Sequence, residues 1–192
     1  MDLLELMKRR RSIRKYQQRQ VELADLQKVM EAGAYAPNAG GGQRSILLAI
    51  RNPALVETIG RLNLRQFDRT RLAGSYVSRE QPSNIDDPSI KSGFYGAPTV
   101  VAVFSQKNFL YGVPDAFCCA ENMVLEATAL GLASCIVARG EETFDNDEGR
   151  ALLQAWGIPE NYIARCFVLL GYCDGKYPQG KPRRADRLKI VE

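Results

Sequence analysis

Arg10-Arg11-Ser12-Ile13-Arg14 places three guanidinium groups and one hydroxyl within five residues. A guanidinium makes paired hydrogen bonds to phosphate oxygens, and a serine hydroxyl adds a further donor. Arg10, Ser12 and Arg14 are spaced by two, so an extended backbone would send all three to one side. The chemistry on offer is the clamping of a single phosphate. A solvated run of charge is the competing reading. The chain has no histidine. That excludes Ser-His-Asp and Cys-His nucleophile systems, a histidine general base and His-ligated zinc, and no metal site is expected.

The other reactive residues carry less. Cys118, Cys119, Cys135, Cys166 and Cys173 are an odd five without a Cys-x-x-Cys spacing, which fits reduced core or surface thiols better than a redox or metal centre. Ser12-Ile13-Arg14-Lys15 matches Ser-x-x-Lys only formally, since the companion motifs of penicillin-type sites are missing. No Gly-x-Gly-x-x-Gly follows a strand, and there is no P-loop. Gly40-Gly41-Gly42 leads into a strand rather than a helix, so it is not a dinucleotide fingerprint.

At 192 residues, 45% hydrophobic and 25% charged, the chain reads as one globular domain spanning 1–192. No apolar run approaches the roughly 18 residues of a spanning helix. Basic residues follow Leu3, Leu4, Leu6 and Met7 instead of preceding a long apolar core, so the start is not a signal peptide and a cytoplasmic protein is expected. Net charge is +4, unevenly spread: +5 over residues 1–20, +4 over 176–192 and −5 between them. Two basic ends on one compact domain are expected to meet and hold one anion.

The elements that must position these groups follow from periodicity and punctuation. Apolar residues three and four apart predict a short helix at the N-terminus and another over Glu22–Ala34. Ile46–Ile50 reads as a buried strand. Asn52-Pro53 starts a helix running to about Phe67, with a capping side chain and then proline in the first turn. Residues 77–96 turn polar and aperiodic, a loop of a length that usually marks a lid, a binding loop or disorder. Val100–Phe104, Ser134–Ala138 and Cys166–Tyr172 read as strands. Pro114–Leu130 reads as a helix apolar around most of its circumference and therefore central, and Asn146–Trp156 as a helix closed by Gly157. Mixed helices and strands in this order indicate a layered α+β or α/β domain.

Several segments, taken together, resemble the FMN-dependent nitroreductase family. Arg10-Arg11-Ser12-Ile13-Arg14 is similar to that family's opening. Ala36-Pro37-Asn38-Ala39-Gly40-Gly41-Gly42-Gln43 resembles its Ala-Pro-Ser-x-x-Asn-x-Gln-Pro-Trp loop. Gly96-Ala97-Pro98-Thr99-Val100-Val101 resembles a strand entry. Asn122–Ala127 and Ala129–Cys135 resemble its central helix and the next strand. Leu170-Gly171-Tyr172 and Lys181-Pro182-Arg183-Arg184 resemble its last strand and basic tail. The pieces fall in the family's order over nearly the whole chain.

The resemblance implies an α+β fold: an α/β/α sandwich with a mixed, mostly antiparallel sheet, in a homodimer with FMN at the interface. Arg10, Arg11, Ser12 and Arg14 would take the phosphate and ribityl end, with Arg183 or Arg184 closing over it. The loop holding Pro37, Asn38, Ala39, Gly41 and Gln43 would reach the partner's flavin. Ile136, Val137, Ala138 and Arg139 would lie along the ring, and Asn63 would be a donor at its edge. The family's usual Asn falls on Gly41 and its Pro-Trp on Arg44-Ser45, so backbone N–H groups of the glycine run would have to replace an amide. Arg44 would add positive charge near the site.

The activity so implied takes hydride from NADH or NADPH and passes it by a ping-pong mechanism to a small planar acceptor: a nitroaromatic, quinone or flavin. No nucleic acid or membrane partner is expected on this reading. Flavin carries the hydride at N5 and the protein supplies position and electrostatics, so the missing histidine is no obstacle and no catalytic side chain is expected. The alternative is a non-catalytic anion or nucleic-acid binding domain using the basic termini, which would show steep salt dependence.

Overall fold

The structure, a computed structural model, describes residues 2–65 and 89–192. Four strands form one sheet in the order β1-β2-β4-β3, with β1 at Ile46–Ile50, β2 at Thr99–Gln106, β3 at Ala133–Val137 and β4 at Tyr162–Gly171. Every ladder is antiparallel. The only parallel pairing among the described residues is an isolated bridge between Ser12 and Ser134. The sheet itself is therefore antiparallel, and the N-terminal segment adds a single parallel bridge beside β3.

The central strands are apolar on both sides because both faces are covered. Val100, Ala102 and Phe104 of β2 join Phe167 and Leu169 of β4 on one face. Val101 and Val103 join Cys166, Val168 and Leu170 on the other. Alternate strand residues point to opposite faces, so each face needs its own layer. On the first lie α3 (Pro53–Arg65), α5 (Gly140–Thr143) and α6 (Asp147–Ala155), with an aromatic cluster in which Phe94 and Phe167 are 4.8 Å apart. On the second lie α2 (Leu23–Ala34) and α4 (Gly112–Ala129). This is the expected α/β/α sandwich. Short α1 (Leu3–Arg9) rests against α4.

Local chemistry sets the boundaries. The Asn52 carboxamide accepts from the Ala54 and Leu55 N–H groups at 3.0 and 3.1 Å, and Asn146 accepts from Gly149 at 2.8 Å, so both helices start at a side-chain cap. Gly131 and Gly157 follow the ends of α4 and α6 with φ of 75° and 66°. Burial pushes the Cys166 thiol up to about 12, and all five cysteines are free thiols.

Four expectations change in detail. Ile46–Ala49 are only half-buried, since β1 is an edge strand. β4 starts four residues earlier than expected (Tyr162, not Cys166) because Arg165, a charge inside the apolar run, is bonded within the fold. The helix α4 is not buried all round: Val113 and Phe117 are 45% and 37% exposed. Of the expected loop 77–96, residues 77–88 lie outside the described residues. In the rest, Ser92–Phe94 are packed: Phe94 is fully buried and Gly93 donates to the Gly60 carbonyl at 2.8 Å. The expected end of α3 at Gln66-Phe67 also lies outside the described residues. Among those residues no helix is long and apolar enough to cross a membrane.

Candidate active site

After α1 the chain runs extended along the outer edge of β3. The Ile13 N–H donates to the Ser134 carbonyl at 2.9 Å, and Ile13 turns inward, 2% exposed. Its neighbours Ser12 and Arg14 therefore face away from the core. The Arg10 guanidinium reaches the Ser12 hydroxyl at 3.5 Å. Below them lies Cys135, its thiol pushed up by burial and held back by the Arg14 charge, by a hydrogen bond with Ser12 and by Arg10. Arg10, Ser12 and Arg14 are thus gathered as expected from their spacing.

Arg11 does other work. Its guanidinium donates to the Lys8 and Arg10 carbonyls, both at 2.6 Å, and lies against Gly180. Its backbone N–H donates to the Tyr177 hydroxyl at 3.2 Å. The two basic termini therefore meet: the Asp174 N–H donates to the Lys15 carbonyl at 3.0 Å and Gln17 N–H to Tyr172 at 2.9 Å. Arg183 and Arg184 lie further on, both exposed, and Arg184 is paired with Asp186 at 2.8 Å. Within one chain they are not gathered onto the Arg10–Arg14 cluster, because residues 178–192 are exposed along their whole length.

Ile136 and Val137 end β3, and Ala138 leads to Arg139, whose φ of 63° turns the chain sharply into α5. A buried network fixes this turn. The Asn63 amide donates to the Thr143 hydroxyl at 3.0 Å and to the carbonyls of Ala138 and Arg139 at 3.3 and 3.5 Å. The Arg139 guanidinium returns a bond to the Asn63 carbonyl oxygen at 3.3 Å, and Thr143 donates to the Arg139 carbonyl at 2.9 Å. Asn63 is 1% exposed. Its amide protons are spent on the turn, so it positions Arg139 instead of offering a free edge donor.

Two further features seat α5 on β4. A Cβ on Gly140 would lie 2.8 Å from the Ala164 carbonyl carbon and oxygen, so only glycine allows the approach. Arg165, with its side chain 8% exposed, donates to Ser105 at 2.7 Å and to the Gln106 carbonyl at 2.9 Å, and pairs with Glu141.

Tyr95 joins the two halves. Its ring lies beneath Arg14, 5.9 Å from guanidinium carbon to ring centre. Burial pushes its phenol up, while the Arg14 and Arg139 charges pull it down. The phenol therefore stays protonated near neutral pH. Sequence reasoning passed over it; the available signal was an aromatic residue next to a turn glycine in Phe94-Tyr95-Gly96.

The glycine loop stands apart. Gly40, Gly41 and Gln43 have φ of 61°, 64° and 48°. Asn38 closes the loop on itself, accepting from the Gln43 N–H at 2.8 Å and donating to the Ala36 carbonyl at 3.3 Å. The Ala39 N–H donates to Asp115 at the start of α4, at 3.1 Å. Pro37 is exposed. Arg44 folds over the Phe109 ring at 4.9 Å and donates to the Ala39 carbonyl at 3.1 Å, so its charge braces the loop. None of these partners belongs to the Arg10–Arg14 cluster.

The donor set suits an anionic, partly planar ligand. Three guanidiniums (Arg10, Arg14, Arg139) and the hydroxyls of Ser12 and Tyr95 converge, and Ser134 Oγ nearby is buried without a hydrogen-bond partner. Such a set fits the phosphate of a flavin mononucleotide and the acceptor oxygens and nitrogens of its ring.

The sequence profile of the Nitroreductase family matches residues 7–172, ending before Arg183 and Arg184. A nitroreductase of Bacteroides fragilis, solved with bound FMN, is 33% identical and superposes over 100% of both chains with a TM-score of 0.83. One of Desulfitobacterium hafniense, also with FMN, is 25% identical over 100% of both chains, with a TM-score of 0.82. An Archaeoglobus fulgidus protein that carries the provisional name NADH dehydrogenase/NAD(P)H nitroreductase is 26% identical over 174 residues, 89% of this chain and 85% of its own.

Proposed function

The chain belongs to the nitroreductase family, and on that premise we propose that it is an FMN-dependent oxidoreductase taking hydride from NADH or NADPH and passing it to a planar acceptor. The observation that carries this is the convergence of Arg10, Ser12 and Arg14 with the buttressed turn at Arg139. Bound FMN would supply the hydride-carrying atom. Arg10, Ser12 and Arg14 hold its phosphate and ribityl end, and Ile136, Val137, Ala138 and Arg139 lie along its ring. The buried Asn63–Thr143 network keeps that turn from shifting as charge develops, the preorganisation that makes fixed donors effective. Arg11 fastens the tail so that Arg183 or Arg184 can close over the phosphate. Donor and acceptor would use one face in turn, a ping-pong cycle that needs no protein nucleophile.

A homodimer completes the proposal. In one chain Leu3, Leu4 and Met7 of α1 are 44–58% exposed. Val113 and Phe117 of α4 are also exposed, and Leu188, Ile190 and Val191 of the tail are 89–95% exposed. Apolar surface of this extent favours a partner. The loop at Pro37, Asn38, Ala39, Gly41 and Gln43, which is not gathered with its own chain's clamp, then serves the partner's flavin.

The test is the visible spectrum of the purified protein. A yellow protein releasing the mononucleotide, bleached by NAD(P)H under argon and recoloured by a quinone, is the expected result. A colourless protein that takes up no FMN at micromolar concentration refutes the reading. Gly41→Val addresses the shared site. A Cβ there meets open space within the chain, but φ of 64° is a conformation that valine resists, at a cost of about 1–3 kcal/mol. The variant is expected to stay dimeric by light scattering and to bind FMN several-fold more weakly. A wild-type monomer carrying stoichiometric FMN would defeat the shared site.

A further inference from the structure

Consecutive glycines make a backbone that is costly to order, because glycine has more conformations to lose than any other residue. The run Gly40-Gly41-Gly42 is nevertheless held, and by side chains from outside it. Both polar groups of Ala39 are engaged with opposite charges. Its N–H donates to the buried Asp115 carboxylate and its carbonyl accepts from the Arg44 guanidinium, each at 3.1 Å. The same guanidinium lies over the Phe109 ring at 4.9 Å, within cation–π range, and against Gly42, where a Cβ would run into it. Gly41 and Gly42 donate to the Asn38 and Ala39 carbonyls, and Gln43 to the Asn38 side chain. Of the N–H groups from Ala39 to Gln43, only that of Gly40, an exposed residue, has no partner among the described residues.

The chain's own Arg10–Arg14 cluster makes no use of this order. The loop is fastened instead to the start of α4, on a surface that calls for a cover. Asp115 lies between Val113 and Phe117, both exposed, and Leu110 and Tyr111 just before them are 81% and 50% exposed. Apolar surface of this kind marks an interface. We propose that Arg44 is a positioning residue for the cofactor site of a second copy of this chain: with Asp115 it grips the Ala39 peptide from both sides and gives the glycine loop its binding shape before FMN arrives. This rests on the shared-site reading above. A loop ordered in advance makes its contacts without the entropy loss of being ordered on binding. Arg44 therefore acts on FMN affinity through the loop and across the interface, while its own charge stays turned onto the Ala39 carbonyl.

The test uses Arg44→Ala and Arg44→Lys in the full chain, with melting temperature as the check on folding. Hydrogen exchange before FMN is added reads the loop itself: in Arg44→Ala the amides of Gly41, Gly42 and Gln43 are expected to exchange faster, with the rest of the chain and the melting temperature unchanged. The Kd for FMN should rise about tenfold, the scale of one hydrogen bond to a charged group. Arg44→Lys keeps a donor but lacks the planar fork, and should recover part of that loss. A mixed dimer of Arg44→Ala with Arg14→Ala is the decisive arm. If Arg44 serves the other copy, one of its two sites joins an intact clamp to an intact loop, and tight FMN binding returns at half the wild-type stoichiometry. If Arg44 serves its own chain, both sites are defective and no tight binding returns, which overturns the inference. Unchanged exchange in the loop overturns it too, as does an affinity loss accompanied by faster exchange throughout the chain, which would make Arg44 a general structural residue. A wild type that takes up no FMN, or that binds it as a monomer, overturns the reading beneath and this inference with it. A wild-type dimer with FMN, beside an Arg44→Ala of equal affinity, overturns this inference alone.

Discussion

Valine at Gly140 should damage both the fold and the turnover. Its Cβ would lie 2.8 Å from the Ala164 carbonyl group and from the Arg165 carbonyl carbon, and all of these are backbone atoms of a central strand. They cannot rotate away, so α5 must lift off β4. Overpacking of this kind costs about 1–3 kcal/mol, and each kcal/mol lowers the melting temperature of a chain this size by about 2–4 °C. The larger effect falls on function. Arg139 precedes Gly140 directly, and the Asn63 and Thr143 bonds that fix it reach across to α5. A shift of about 1 Å at a site that positions reactants can cost on the order of 100-fold, so flavin reduction by NAD(P)H should slow by about that factor. Stopped-flow bleaching of the bound flavin reads it directly. Normal melting with an unchanged bleaching rate would show that α5 does not set the site.

Arg14→Ala is expected to weaken FMN binding by roughly 1.5–3 kcal/mol, the scale of a hydrogen bond to a charged group, or about 10- to 150-fold in Kd. Arg14 is exposed in the free chain, its guanidinium 5.9 Å from the centre of the Tyr95 ring, so its removal should leave the melting temperature of the apoprotein nearly unchanged. Arg14→Lys should recover only part of the affinity, because an ammonium lacks the planar fork. Fluorescence titration of FMN against both variants decides the matter. Wild-type affinity in Arg14→Ala would move the clamp elsewhere, while a fall in apoprotein stability equal to the loss in binding would make Arg14 a structural residue.

The sequence by itself determined the layered α+β class, the main helices and strands, and the clustering of Arg10, Ser12 and Arg14. These rest on local rules: apolar periodicity, side-chain caps at Asn52 and Asn146, glycines that end helices, and a spacing of two in extended backbone. The charge of the two ends was legible in composition, but not where the basic tail lies: Arg183 and Arg184 are exposed and are not gathered onto the Arg10–Arg14 cluster. Tertiary structure alone decided what each polar group is spent on. Asn63, read as an edge donor, is committed to a turn 75 residues away. Arg11 and Arg44, which carry the same charge as Arg14, are folded back onto the Lys8, Arg10 and Ala39 carbonyls. Tyr95 and Arg165 went unnoticed because nothing near them in sequence hints at their partners. A hydrogen bond is a relation between two groups in space, and residue type and spacing say which groups can form one without saying which pair will meet.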